Sequence, residues 1–318
     1  MKIPNTEKSI PVIKHLVIAG GAHMGLSYYG SLKTLIQKQF IQMANIETIY
    51  TTSVGSIIAI FLLLQYDWDT VDTFLVDRPW NKVFSLDFPT LVKSLSKGGI
   101  YDISSLQESI SPMLLGKDLS PEITLQEFYD YSNTELHFIS TRFANLSVCD
   151  ISYKTHPDWK LLEAVYATSC LPVFFVPFEK SPGEIYIDGA INMNYPMNRC
   201  LEDGHSSDTV LGVSYYFEKS IEKSMSTGTS TFTDAVNKDK STFQLFYVIL
   251  DLFFKLWYRI KMPLTKDSFT APYQLDILYD GCPPLEVMSV LKSSNKRKEL
   301  IDVGVHSAEI FLTKNNIL

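Results

Sequence analysis

Residues 49–56 read Ile-Tyr-Thr-Thr-Ser-Val-Gly-Ser. Branched and aromatic residues run into a turn of small residues. The chain then continues as Ile57-Ile58-Ala59-Ile60-Phe61-Leu62-Leu63-Leu64, almost wholly apolar. The first run suits a buried strand and the second a short central helix. Ser53 stands on the corner between them. Two readings fit a serine there: it caps the helix that follows, or it is a nucleophile on a strained strand-to-helix elbow.

The unit before it has the same form. His15-Leu16-Val17-Ile18-Ala19 is a short apolar run that stops at Gly20-Gly21. After Gly25, apolar residues recur at helical spacing at Leu26, Tyr29, Leu32, Leu35, Ile36 and Phe40. Strand, turn and helix twice within 65 residues predict an α/β layered core with a largely parallel sheet. Further strands are expected at 135–141, 148–153, 184–188 and 209–217, and a helix over 159–169. Residues 66–135 read as a helical excursion. Residues 218–240, rich in Ser, Thr and Lys, predict a flexible loop, and 241–318 a mainly helical extension packed on the core or contacting a membrane.

The 318 residues suffice for a large buried core. A net charge of −7 argues against a nucleic-acid partner, which needs clustered positive charge. Only Lys292-Ser-Ser-Asn-Lys-Arg-Lys298 is locally basic, and a solvated helix end explains it at least as well as a phosphate or headgroup contact. Cys149, Cys170, Cys200 and Cys282 lack CxxC or zinc-like spacing and read as reduced, packed thiols. The polar N-terminus lacks the apolar stretch of a signal peptide, and no uncharged run reaches membrane-span length. These features predict an intracellular protein, cytoplasmic or peripheral to a membrane.

Three short motifs carry chemistry. Gly20-Gly21-Ala22-His23-Met24-Gly25 follows a strand and opens a helix, so unpaired amides converge there. It fits an oxyanion hole or a tight turn with no ligand; the third glycine and the acidic residue of a dinucleotide loop are missing. Thr51-Thr52-Ser53-Val54-Gly55 matches the elbow pattern G-x-S-x-G except at Thr51, which is β-branched and stiff. Asp188-Gly189-Ala190 closes a strand, and alone it is only a turn signal.

Together with Ala164-x-x-Ala167-Thr168-x-x-x-Pro172 and Asn194-x-Pro196, these motifs resemble the patatin-like phospholipase family. That family carries G-G-G-x-[RK]-G, G-T-S-x-G, A-x-x-A-S/T-x-x-x-P, D-G-[GA] and N-x-P, and all five occur here in that order. The resemblance spans residues 14–217, about two thirds of the chain, as a catalytic domain. It implies a three-layer α/β/α fold with a mostly parallel central sheet, and a Ser–Asp dyad that hydrolyses acyl esters of phospholipids or neutral lipids. Ser53 falls on the nucleophile, Asp188 on its partner, and Gly20, Gly21 and Ala22 on the oxyanion loop. Gly25, Gly55, Gly189 and Ala190 complete the motifs. Ala22 and Thr51 stand where the family has glycine, and Met24 where it has Arg or Lys.

A serine hydroxyl needs a base. Of the six histidines, His205 and His306 follow Asp188 in triad order, yet both read as surface residues. The dyad uses Asp188 directly, and burial should raise its pKa toward the working pH. No metal or cofactor enters. Asp67, Asp69 and Asp72 lack calcium-loop spacing and read as a helix start.

Phe243 to Met262 is dense in aromatics, with Asp251, Lys255 and Arg259 on one narrow stripe. It reads as a buried or half-buried helix, or as a membrane-surface helix anchored by Trp257, Tyr258, Lys255, Arg259 and Lys261. Three functions remain open: a lipid acyl hydrolase; a non-catalytic lipid-binding or scaffold protein on the same fold, which Met24 and Thr51 would favour; and, third, a general serine esterase of α/β-hydrolase type, which a catalytic histidine would favour.

Overall fold

The computed structural model describes residues 12–85, 97–217, 271–279 and 283–317. The strands are β1 (His15–Ile18), β2 (Thr48–Thr52), β3 (Gly99–Tyr101), β4 (Glu135–Arg142), β5 (Val148–Ile151), β6 (Val173–Phe175), β7 (Phe178–Ser181), β8 (Glu184–Asp188), β9 (Val210–Phe217) and β10 (Tyr273–Tyr279). The α-helices are α1 (Gly25–Gln37), α2 (Val54–Leu63), α3 (Trp68–Asp77), α4 (Trp80–Val83), α5 (Ile103–Leu115), α6 (Leu125–Ser132), α7 (Leu161–Ser169), α8 (Met197–Glu202), α9 (Pro283–Lys292) and α10 (Ser294–Lys314).

The main sheet has the order β10-β9-β1-β2-β4-β8-β7, with β5 also on β4. The run from β10 to β4 is parallel; β5, β7 and β8 pair antiparallel. β3 and β6 form a separate parallel pair. Alternate residues of a strand leave on opposite faces, and the two faces are covered differently. Leu16 and Ile18 join a large core with side chains of α1, α2 and α10. Val17 and Tyr50 join a smaller one with Met197 and Cys200 of α8. This is the layered α/β arrangement that the two strand-turn-helix units predict. Register sets Ile18 beside Thr51, so the turns after β1 and β2 emerge side by side at the carboxyl ends of these parallel strands.

The C-terminal region is not helical throughout, because β10 extends the sheet beyond β9. α10 crosses α1 closely. A Cβ on Gly30 would strike the carbonyl oxygen of Ile301, and one on Gly304 that of Ser27. Ser27 Oγ donates to Leu300 O at 2.7 Å. Arg297 corrects the reading of the basic stretch as solvated. It is buried, and its guanidinium donates to Val76 O and Val290 O at 2.6–2.9 Å, satisfying carbonyls at the ends of α3 and α9. Asp67 caps α3 by accepting from Thr70 N at 2.8 Å, as the helix-start reading expects. Cys149, Cys170 and Cys200 are buried free thiols. Among the described residues no helix is long and apolar enough to cross a membrane. The loop at 218–240, the apolar segment 243–262 and Cys282 lie outside the described residues.

Candidate active site

β2 delivers the chain to Ser53, and α2 starts one residue later. Ser53 has φ 53° and ψ −127°, a region that costs a non-glycine residue about 1–3 kcal/mol and persists only where its surroundings enforce it. Its side chain makes no capping bond to α2. Instead Ser53 Oγ donates to Asp188 Oδ2 at 2.8 Å. The partner of the serine is a carboxylate rather than an imidazole. His306 is exposed on α10, and His205 stacks on His15 at 3.8 Å beneath the other face of the sheet.

Asp188 ends β8 and is 2 % exposed. Its Oδ1 accepts from Ala190 N at 2.7 Å, and its own amide donates to Cys170 O at 3.1 Å. Burial pushes the carboxyl up from 3.8 to about 7, while the Ala190 amide and the Ser53 hydroxyl act in the opposite direction. Gly189 must be glycine because a Cβ there would strike Ile139 O.

The sequence reading gives Thr168 and Asn194 no role, although both lie in quoted motifs. Thr168 Oγ1 accepts the Ser53 amide at 3.0 Å and donates to Ile139 O. Asn194 grips the glycine loop: its carbonyl accepts from Gly20 N at 3.0 Å and its Nδ2 donates to Gly20 O at 3.3 Å. The bond from Gly20 N to the Asn194 backbone carbonyl corrects the expectation that Gly20 offers an oxyanion amide, since that amide is already bonded. The amides of Gly21 and Ala22 have no hydrogen-bond partner among the described residues. Ala22 does not close the positive-φ conformation; it adopts φ 48° at a cost of about 1–2 kcal/mol. Thr51 sits in β2 with its hydroxyl on His137 O at 2.7 Å, so the missing elbow glycine is an ordinary strand position. Met24 is 2 % exposed and forms part of an apolar wall, where a bare cation would be costly.

That wall belongs to a cavity of about 330 Å³, within the range of ligand sites. Ser53 and Asp188 lie on it, together with Val54, Ile57, Ile58 and Phe61 from one face of α2. From Ser53 to Phe61 the helix rises about 12 Å. The cavity can therefore take an extended apolar chain whose polar end meets the Ser–Asp pair.

Ligand-like spacing for a metal occurs elsewhere. His137, Asp150 and Asp203 have donor atoms within 4.8 Å of one another. Arg199 already bridges the two carboxylates at 2.8 and 3.0 Å, so their charge is paired within the chain.

A family model described as patatin-like phospholipase matches residues 16–201, more than half of the chain. The chain belongs to the patatin-like phospholipase family. An uncharacterized protein of Acanthamoeba polyphaga mimivirus is 28% identical to this family member over 217 residues, 64% of this chain and 65% of that protein. A triacylglycerol lipase of Arabidopsis thaliana is 23% identical over 220 residues, 57% of this chain and 25% of the lipase. Both matches thus span less than two thirds of the relative. Among solved structures, VipD from Legionella pneumophila aligns with a TM-score of 0.47 at 15% identity, covering 92% of this chain and 67% of that one.

Proposed function

We propose that this patatin-like protein is a serine hydrolase that cleaves carboxylic esters of phospholipids or neutral lipids through Ser53 and Asp188. The observation that carries the reading is the 2.8 Å hydrogen bond from Ser53 Oγ to a buried carboxylate. Family membership supports it, as does the apolar cavity beside the pair.

The acyl chain lies along α2 and brings the ester carbonyl to Ser53. Oγ attacks the carbonyl carbon while its proton passes to Asp188. The tetrahedral oxyanion takes hydrogen bonds from the amides of Gly21 and Ala22; losing one such donor typically costs about 3 kcal/mol. Collapse breaks the bond to the alcohol, and the departing alkoxide takes the proton from Asp188. A water then gives its proton to Asp188 and attacks the acyl-serine. The fatty acid leaves, and the proton returns to Ser53. An aspartate near pH 7 can both accept and return a proton at neutral pH.

Fluorophosphonate labelling tests the nucleophile. The wild type should label and hydrolyse a p-nitrophenyl ester, Ser53→Ala should do neither, and Asp188→Asn should lose turnover while keeping its fold. Near wild-type hydrolysis by Ser53→Ala or Asp188→Asn refutes the dyad.

A further inference from the structure

We propose that Ser169 is a substrate-contacting residue, whose hydroxyl turns to hydrogen-bond an oxygen of the ester held in the cavity. The choice of an ester as ligand rests on the hydrolase reading above.

Ser169 ends α7 between two residues that grip the proposed dyad. Thr168 before it accepts the Ser53 amide, and Cys170 after it accepts the Asp188 amide through its carbonyl. Ser169 is thereby fixed against both. It lies on the wall of the same cavity and is 8 % exposed. Its Oγ is shielded from solvent and has no hydrogen-bond partner among the described residues.

Buried hydroxyls are rarely left in that condition. The other serine and threonine hydroxyls on or next to this wall are spent. Ser53 donates to Asp188, Thr168 donates to Ile139 O, and Ser109 on the same wall donates to Ser105 O at 2.8 Å. Ser169 alone of these four has a proton to offer.

Oγ is shielded and unpaired on this wall, and one χ1 rotation moves it between staggered positions. The rotation breaks no hydrogen bond, because none is made. A serine hydroxyl can both donate and accept. An ester entering this apolar cavity loses its water and carries two oxygens that need a donor. Ser169 supplies one beside the dyad, whereas the α2 side of the wall offers only apolar contact.

The test uses Ser169→Ala with three readouts. For p-nitrophenyl decanoate, kcat/KM should fall about tenfold, the loss of one hydrogen bond. The melting temperature should not fall, since the free protein loses no bond. In the Ser53→Ala background, which cannot acylate, affinity for methyl decanoate should drop about tenfold while affinity for decane stays unchanged. Unchanged affinity for methyl decanoate, or no binding of it in that background, overturns the proposal. A lowered melting temperature also overturns it, because the hydroxyl would then be structural. A wild type that neither labels nor hydrolyses refutes the hydrolase reading instead, and the binding comparison still decides the role of Ser169.

Discussion

Ser53 Oγ lies 2.8 Å from Asp188 Oδ2, a bond that ties the elbow after β2 to the end of β8 across 135 residues of chain. The first prediction follows from where that carboxylate titrates. Asp188 must be ionised to accept the serine proton, and burial holds it at about 7. For an ester that does not itself titrate, kcat/KM should rise about tenfold per pH unit below 7 and level off above 8. Stability runs the other way. The folded pKa is raised, so the contribution of Asp188 is complete below its unfolded value of 3.8 and is lost as pH rises through 7. Asp188→Asn should melt higher than wild type at pH 8 and show no such gain at pH 3.5. A flat rate profile between pH 5 and 8 would rule out Asp188 as the base.

Thr168 positions the elbow without touching substrate. Thr168→Val removes the acceptor of the Ser53 amide and the donor to Ile139 O. The expected cost is about 1–3 kcal/mol in urea unfolding, from buried groups left unpaired. kcat should drop further than KM rises, because the strained turn loses its anchor. Thr168→Ser, which keeps the hydroxyl, should recover most of both.

Val173 carries strain that serves no visible contact of the dyad. It has φ 78°, an outlier for a β-branched residue, at the start of β6. Val173→Gly should raise the urea midpoint by the equivalent of about 1 kcal/mol, the relief of strain outweighing the flexibility of glycine. A lower midpoint would mean that packing of the valine matters more than its backbone.

On the opposite face, His137 predicts a loss of stability at alkaline pH. Burial alone would lower its pKa, but Asp150 at 2.9 Å and Glu135 at 3.4 Å, an ion-pair distance rather than a hydrogen bond, raise it to about 9. Arg199 and Lys154 hold those two carboxylates in place. The stabilisation is complete below the ordinary 6.5 and disappears as pH climbs through 9. His15, held down at about 4, acts only in the window below 6.5. Melting temperature should therefore decline between pH 7 and 9.5, and His137→Gln should flatten that decline.

The two strand-turn-helix units were legible because each joins a short apolar run to a glycine-rich turn and a periodic helix. Most strand positions follow from the same signal. β10 was not legible: Gln274 and Asp276 break its apolar run, and an edge strand covered by one neighbour needs no continuous hydrophobic signal. The pairing of Ser53 with Asp188 was readable only through the ordered motifs. The roles of Thr168 and Asn194 were hidden because their bonds cross 115 and 174 residues, a distance that local pattern does not encode. The occupied amide of Gly20 was hidden for the same reason. Met24 and Thr51 read as defects in a motif, and each becomes ordinary once its neighbours are known.

Where α10 crosses α1, main chain meets main chain at Gly30 and Gly304, with no side chain to act as a cushion. Such a joint has no slack, since neither helix can roll or slide without a collision. α1 begins at Gly25, within one turn of the Gly21 and Ala22 amides, so the aim of those amides is referenced to α10. The family-model match over 16–201 stops short of β9, β10, α9 and α10. A change at the contact of α10 with Gly30 would register as a misaligned turn before it registered as unfolding.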